Sequence, residues 1–127
     1  MAIRVTCAII ESEEKILVVQ RSEKMNLPLK WEFPGGKIEH GEGEEECIIR
    51  EIKEELNLDI EVLKKLNSST FDYPNISIEL IPFVAKKVGG EIKLSEHANY
   101  KFLSKDELLN LDWAEADIPV VKEYLNL

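Results

Sequence analysis

Only two of the 127 residues are cysteine, Cys7 and Cys47, far apart and each among apolar neighbours. That scarcity rules out a disulfide framework or a zinc thiolate cluster and predicts two buried thiols in a reducing, cytoplasmic setting. No stretch approaches the roughly eighteen consecutive apolar residues that a membrane span requires. The opening "MAIRVTCAII" runs straight into a strand-like pattern without the separate apolar segment and small-residue cleavage site of a signal peptide, so export is not expected. No repeat, low-complexity tract or Pro/Gly/Ser-rich linker divides the sequence, which predicts one domain over residues 1–127. Basic residues are also in short supply. Sixteen face 25 acidic ones, for a net charge of −9, and they are scattered rather than clustered. Such a surface repels a nucleic-acid polymer or an anionic membrane, although a small anion could bind if a cation carried it in.

The sequence does have the balance of a globular domain, 44% hydrophobic and 32% charged residues. At this length it can bury about two-thirds of the surface its unfolded chain exposes. Residues 3–10 and Lys15–Gln20 are apolar, β-branched runs around the polar "ESEEK", which predicts a hairpin. The loop "RSEKMNLPLK" leads to a short strand, "WEF", that Pro34 and Gly35-Gly36 should stop. "DIEVLKKLNSSTFDY" and "ISIELIPFVAKKV" read as two strands parted by Pro74-Asn75, with Gly89-Gly90 as the next turn, and "NYKFL" alternates as another strand. Ser104 with Glu107 three residues on has the spacing of a capping box opening a short helix, and "DIPVVKEYLNL" reads as a last helix with Asp117 as its N-cap. Strands and helices interleave irregularly, so the expected class is α/β, a mixed sheet covered by helices.

Eight glutamates crowd the seventeen positions 39–55. Within them Glu44–Leu56 reads as a helix, because Ile48, Ile52 and Leu56 recur every four residues and Ile49 fills the same stripe. Glu51, Glu54 and Glu55 fall in an arc of about 100° bordering that stripe. Glu44, Glu45 and Glu46 suit the positive end of the helix. The other three lie where the dipole is negative, and each like-charged pair costs roughly a few tenths of a kcal/mol. A solvated acidic face and a cation site both account for this; partial burial beside the stripe favours the cation. Oxygen donors with no nearby His or Cys suit a hard ion, Mg²⁺ or Mn²⁺, held jointly with substrate phosphates.

From Gly36 the spacing is glycine, five residues, Glu42, seven residues, then "REIKEELNL". This resembles the Nudix box of the Nudix hydrolases, G-x5-E-x7-R-E-U-x-E-E-x-G-U with U aliphatic, and Gly36, Glu42, Arg50, Glu51, Glu54 and Glu55 all stand at its fixed positions. If each type fills about one position in ten, six matches arise by chance about once in a million starts. The departure is Asn57 where the family has glycine; Asn also adopts the left-handed C-cap, so the turn should survive. "LVVQR", "WEFPGGKIEHGE" and "LDWAEADIPVV" extend the resemblance over nearly the whole chain, to the MutT-type subgroup and within it to CTP pyrophosphohydrolases.

The resemblance implies a Nudix α/β/α sandwich and an enzyme that, with Mg²⁺ or Mn²⁺ in its place, converts a nucleoside triphosphate to monophosphate and pyrophosphate. It implies Glu51, Glu54 and Glu55 as metal ligands, with the Gly35 carbonyl as a further one. Glu96 in "SEHANYKFL" matches a second acidic position beside the metals. Arg50 would pair with Glu42 to fix the loop on the helix, and Lys37 would meet a phosphate. Arg21, Tyr73 and Asp117 would line the nucleobase pocket. His40 and His97 receive no role, as solvated or internally satisfied side chains. Enzymes that clear oxidised guanine nucleotides generally have Asn at the position of Asp117. An ionised Asp only accepts hydrogen bonds, which suits the exocyclic amine of cytosine. Cytidine-type nucleotides are therefore the first expectation. An 8-oxo-dGTP diphosphatase, a hydrolase of other nucleotide anhydrides, and a nucleotide-binding module without catalysis stay open beside it. Either a monomer or a homodimer is compatible with the sequence.

Overall fold

In a computed structural model that describes residues 2–127, β1 (Ala2–Ser12) and β2 (Lys15–Gln20) form the expected hairpin. Its two-residue turn puts Glu13 and Glu14 at φ 51° and 66°. This left-handed pair matches the twist of the flanking strands. β3 (Trp31–Glu32), β4 (Gly35–Lys37), β5 (Leu58–Lys65), β6 (Ser69–Tyr73), β7 (Ile76–Gly90) and β8 (Asn99–Leu103) complete one mixed sheet with the order β3-β2-β1-β7-β5. β1 runs parallel to β7 from Ala2↔Ser77 to Glu11↔Lys86. On its other edge it changes partner. Val5, Thr6 and Cys7 pair with β4, whereas Ile10, Glu11 and Ser12 pair with β2. β8 lies on the far side of β2, and β6 pairs with the first half of β7.

The central strands are apolar without a break because both faces of the sheet are covered. Cys7, Ile9, Ile16 and Val18 face a cluster with Trp31, Phe33, Trp113, Val120, Val121 and Tyr124, several of them from the last helix, α2 (Ile118–Leu125). Ala8, Ile10, Leu17 and Val19 point the opposite way, against Ile48, Ile52 and Leu56 of α1 (Glu44–Leu56). Strand alternation sends neighbouring residues into separate cores, with one helix over each.

Several expectations change at this level. β3 does stop, at Glu32, but Gly35 and Gly36 then open a further strand, β4, where a Cβ on Gly35 would sit 1.9 Å from the Thr6 carbonyl oxygen. The run from residue 59 to 73 splits because Leu66 turns into the core and the Asn67 N–H donates to the Glu123 carboxylate. Gly89 and Gly90 pair with Asp59 and Leu58 as the end of β7. Ile49 is 44% exposed, and Cys47 takes its place among the buried residues of α1. Residues Lys105–Asn110 form a 3₁₀ helix behind the Ser104–Glu107 capping box. Asn57 does close α1 in the left-handed conformation, at φ 58°. No helix among the described residues is long and apolar enough to cross a membrane.

Candidate functional site

The loop before α1 is held by one arginine. Arg50 Nε donates to Glu42 Oε2 at 2.6 Å and its NH2 to Glu42 Oε1 at 3.0 Å, a two-pronged match of guanidinium and carboxylate. The same NH2 reaches the Lys37 carbonyl at 3.3 Å, while NH1 donates to Glu51 Oε1 at 3.0 Å and Glu54 Oε2 at 3.1 Å. Glu39, which has no evident part in the sequence, stands 3.5 Å from NH1. The arginine's hydrogen bonds bring the Glu42 carboxyl down to about 2, and its own pKa is raised by Glu42 first. Much of the crowding of glutamates is thus gathered around a single cation.

Glu51 lies closest to the sheet, its side chain 13% exposed. Its carboxylate fills the space a Gly36 side chain would take: a Cβ there would be 2.2 Å from Glu51 Cδ. The glycine pair is therefore needed by Thr6 and Glu51, within the protein itself. Burial raises the Glu51 pKa; Arg50 opposes this, and Glu55 and Glu54 add to it. Glu54 is exposed. Glu55 is half-buried, and its Oε2 is buried without an aligned hydrogen bond. Among the described residues no three His, Cys, Asp or Glu side chains close on one point as a metal centre. The donor chemistry nevertheless fits a hard divalent ion. Arg50 takes only one oxygen each of Glu51 and Glu54, and Glu55 Oε2, although 3.3 Å from His97 Nδ1, is buried without an aligned hydrogen bond, which leaves carboxylate oxygens for a cation.

A second group assembles at β3. Arg21 NH1 donates to Glu32 Oε1 at 2.9 Å. Asp117, 6% exposed, stands at the N-cap position of α2 but makes no side-chain capping bond there; its Oδ2 accepts from the Phe33 N–H at 2.8 Å. The Tyr73 hydroxyl accepts from the Ala116 N–H at 3.2 Å, which ties β6 to the segment carrying Asp117, and its ring packs 4.6 Å from Phe71. Arg21 is thus tied to β3 through Glu32 and Asp117 through the Phe33 N–H, and Tyr73 is tied to the segment that carries Asp117. Burial pushes the Asp117 carboxyl well above its ordinary value, and the Glu32 charge pushes the same way. The shift bears on the expectation of an ionised acceptor, because a carboxyl that holds its proton carries both a donor and an acceptor.

Lys37 is exposed on β4. Glu96 is exposed too, and the residue turned inward beside it is His97, 8% exposed. His97 Nε2 lies 2.8 Å from Glu32 Oε2, and Nδ1 lies 3.3 Å from Glu55 Oε2. Burial lowers its pKa, but Glu32 and then Glu55 outweigh burial and bring it to about 9. Glu32 and His97 are the residues that sequence reasoning missed. Their partners are distant in the chain, and no local spacing marks them. A cavity of about 530 Å³ lies elsewhere, at the β1–β2 turn beside Tyr124, and includes none of these residues.

The family described as NUDIX domain matches residues 1–124. The CTP pyrophosphohydrolase of Escherichia coli (strain K12) is 32% identical over 125 residues, which cover 98% of this chain and 93% of that protein. The 8-oxo-dGTP diphosphatase of Proteus vulgaris is 31% identical over 84 residues, 66% of this chain and 75% of that one. Among solved structures, the MutT protein of the Nudix hydrolase family from methicillin-resistant Staphylococcus aureus 252 superposes with a TM-score of 0.80 at 43% identity, covering 99% of this chain and 97% of its own.

Proposed function

Since the chain belongs to the Nudix hydrolases, which act on nucleotide substrates and generally need divalent metal ions, we propose that it hydrolyses nucleoside triphosphates to monophosphate and pyrophosphate with Mg²⁺, and that cytidine-type nucleotides are its first substrates. The observation that carries this reading is the pairing of an acidic helix edge, Glu51, Glu54 and Glu55, with a wall built from Arg21, Glu32, Tyr73 and Asp117. The similarity to a CTP pyrophosphohydrolase over 98% of the chain supports the choice of base.

A bound Mg²⁺ would neutralise phosphate charge and acidify the attacking water. The protein's own part begins with Arg50, which fixes Glu51 and Glu54 by one oxygen each and holds the loop carrying Lys37. Glu51, with Oε1 engaged, offers Oε2 to take a proton from water as the phosphorus–oxygen anhydride bond breaks. Lys37 reaches into solvent, where it can meet a phosphate. Glu96, exposed beside His97, and the Gly35 carbonyl are the remaining proposed ligands. On the wall, Tyr73 offers a ring face and Asp117 reads the base edge.

A second reading, hydrolysis of 8-oxo-dGTP, is favoured by the burial of Asp117, since a neutral carboxyl can donate to a carbonyl as an asparagine does. A panel of CTP, dCTP, modified dCTP, 8-oxo-dGTP and the ordinary triphosphates separates the two. Pyrophosphate and monophosphate should appear, fastest with cytidine, and Glu54→Gln should lower kcat by about a hundredfold or more. Orthophosphate as the product would refute the proposal. Tight binding without turnover in Mg²⁺ and in Mn²⁺ would assign the scaffold to nucleotide sensing.

A further inference from the structure

His97 has no part in the chemistry just proposed, yet it lies between the two halves of the site. Its segment is fastened by backbone hydrogen bonds: the Lys93 N–H to Leu56 O at 2.9 Å, the Ser95 N–H to Glu55 O at 3.1 Å, and the Ala98 N–H to Gln20 O at 2.9 Å. The imidazole is therefore carried on the end of α1 and on β2 together. It spans from Glu32, whose other oxygen holds Arg21 at 2.9 Å, to Glu55. Arg21, Glu32, His97 and Glu55 form a chain of side chains from the proposed base wall to the proposed metal edge.

The links of that chain are unequal. Nε2 to Glu32 is a short hydrogen bond at 2.8 Å. Nδ1 to Glu55 is 3.3 Å and poorly aligned, leaving both atoms buried without a hydrogen-bond partner. An anchored ring with a loose second contact restrains the Glu55 carboxylate while leaving its oxygen able to turn toward another partner. We infer that His97 is a positioning residue: gripped by Glu32, it holds Glu55 in the direction of the metal edge and so sets the spacing between that edge and the base wall. Metal ligands are commonly oriented by such outer partners, whose loss costs about 10–100-fold in metal affinity.

The inference rests on the reading of Glu55 as a metal ligand, so the experiment tests the two separately. Mn²⁺ binding is measured by electron paramagnetic resonance on wild-type protein, Glu55→Gln, His97→Gln and His97→Asn, each first shown to melt cooperatively. Gln retains a donor placed like Nε2, toward Glu32; Asn retains one placed like Nδ1, toward Glu55. The expected result is Mn²⁺ affinity lowered about tenfold in His97→Gln and substantially less in His97→Asn, with kcat falling in the same order and KM for nucleotide changing little. Unchanged Mn²⁺ binding in folded His97→Gln, with Glu55→Gln weakened, overturns the positioning role. Unchanged binding in Glu55→Gln overturns the ligand reading instead. If the variants do not fold, the ring nitrogens of His97 are followed by NMR in wild-type protein during a Mg²⁺ titration. They should shift with the same midpoint as Mg²⁺ binding, and a ring that does not respond refutes the role.

Discussion

Asp117 sits where a carboxyl has little water and a negative neighbour. Its folded pKa lies well above its ordinary 3.8, first through burial and then through Glu32. The folded state holds the proton more tightly than the unfolded chain, so Asp117 costs nothing below about pH 4 and destabilises increasingly as pH rises above it. Asp117→Asn removes the titration: its melting temperature should exceed that of wild type at pH 8 and match it at pH 4. On the nucleotide panel an ionised Asp117 predicts that the same variant moves toward 8-oxo-dGTP, whereas a carboxyl that already donates as Asn does predicts an unchanged panel. At this scale the sequence was legible where partners are local. Glu51, Glu54 and Glu55 follow from helical spacing, and Arg50 reaches Glu42 eight residues away. The Glu32–His97 contact bridges 65 residues and depends on the whole sheet. Beside it, the family position drew attention to Glu96, whose side chain lies in solvent, while its neighbour is the one turned inward.

The two glycines that open the acidic loop do different work in β4 and against α1. Gly35→Ala would drive a methyl into the Thr6 carbonyl, a backbone atom that cannot step aside, so β4 must leave β1. A loss of about 1–3 kcal/mol is expected in urea unfolding. Gly36→Ala meets the Glu51 carboxylate, the movable end of a side chain. It should lower kcat with a much smaller loss of stability; the reverse ranking of the two variants would contradict this division. The helix itself was readable to its bounds, since its apolar period, its acidic first turn and the cap at Asn57 agree. The strands were less so. Gly-Gly suggests a turn, but a sheet accepts it where a neighbouring backbone or side chain fills the missing volume, as at residues 35–36 and 89–90.

For the molecule as a whole, His97 joins parts of the chain that are otherwise tied mainly through the sheet. Its pKa of about 9, raised from 6.5, makes its contribution to stability fully present below pH 6.5 and lost as pH rises through 9. In protein stripped of divalent ions, the gap in melting temperature between wild type and His97→Gln should be widest at pH 6 and close by pH 10; a constant gap would mean that charge is not involved. The overall layering was foreseeable, because an unbroken apolar run in β1 demands cover on both faces. The change of partner along β1 was not, since no residue pattern announces it. That change makes the sheet branch. One limb carries β4 and the loop bound to α1, the other carries β2 with β3 and β8, and the two diverge between Cys7 and Ile10. The acidic edge adjoins the first limb and Arg21 and Glu32 the second, while Tyr73 comes from β6 and Asp117 from the start of α2. The proposed site therefore straddles the place where β1 changes partner, and the backbone there is shared, because the Ala8 N–H donates to the Pro34 carbonyl between β3 and β4 at 2.9 Å.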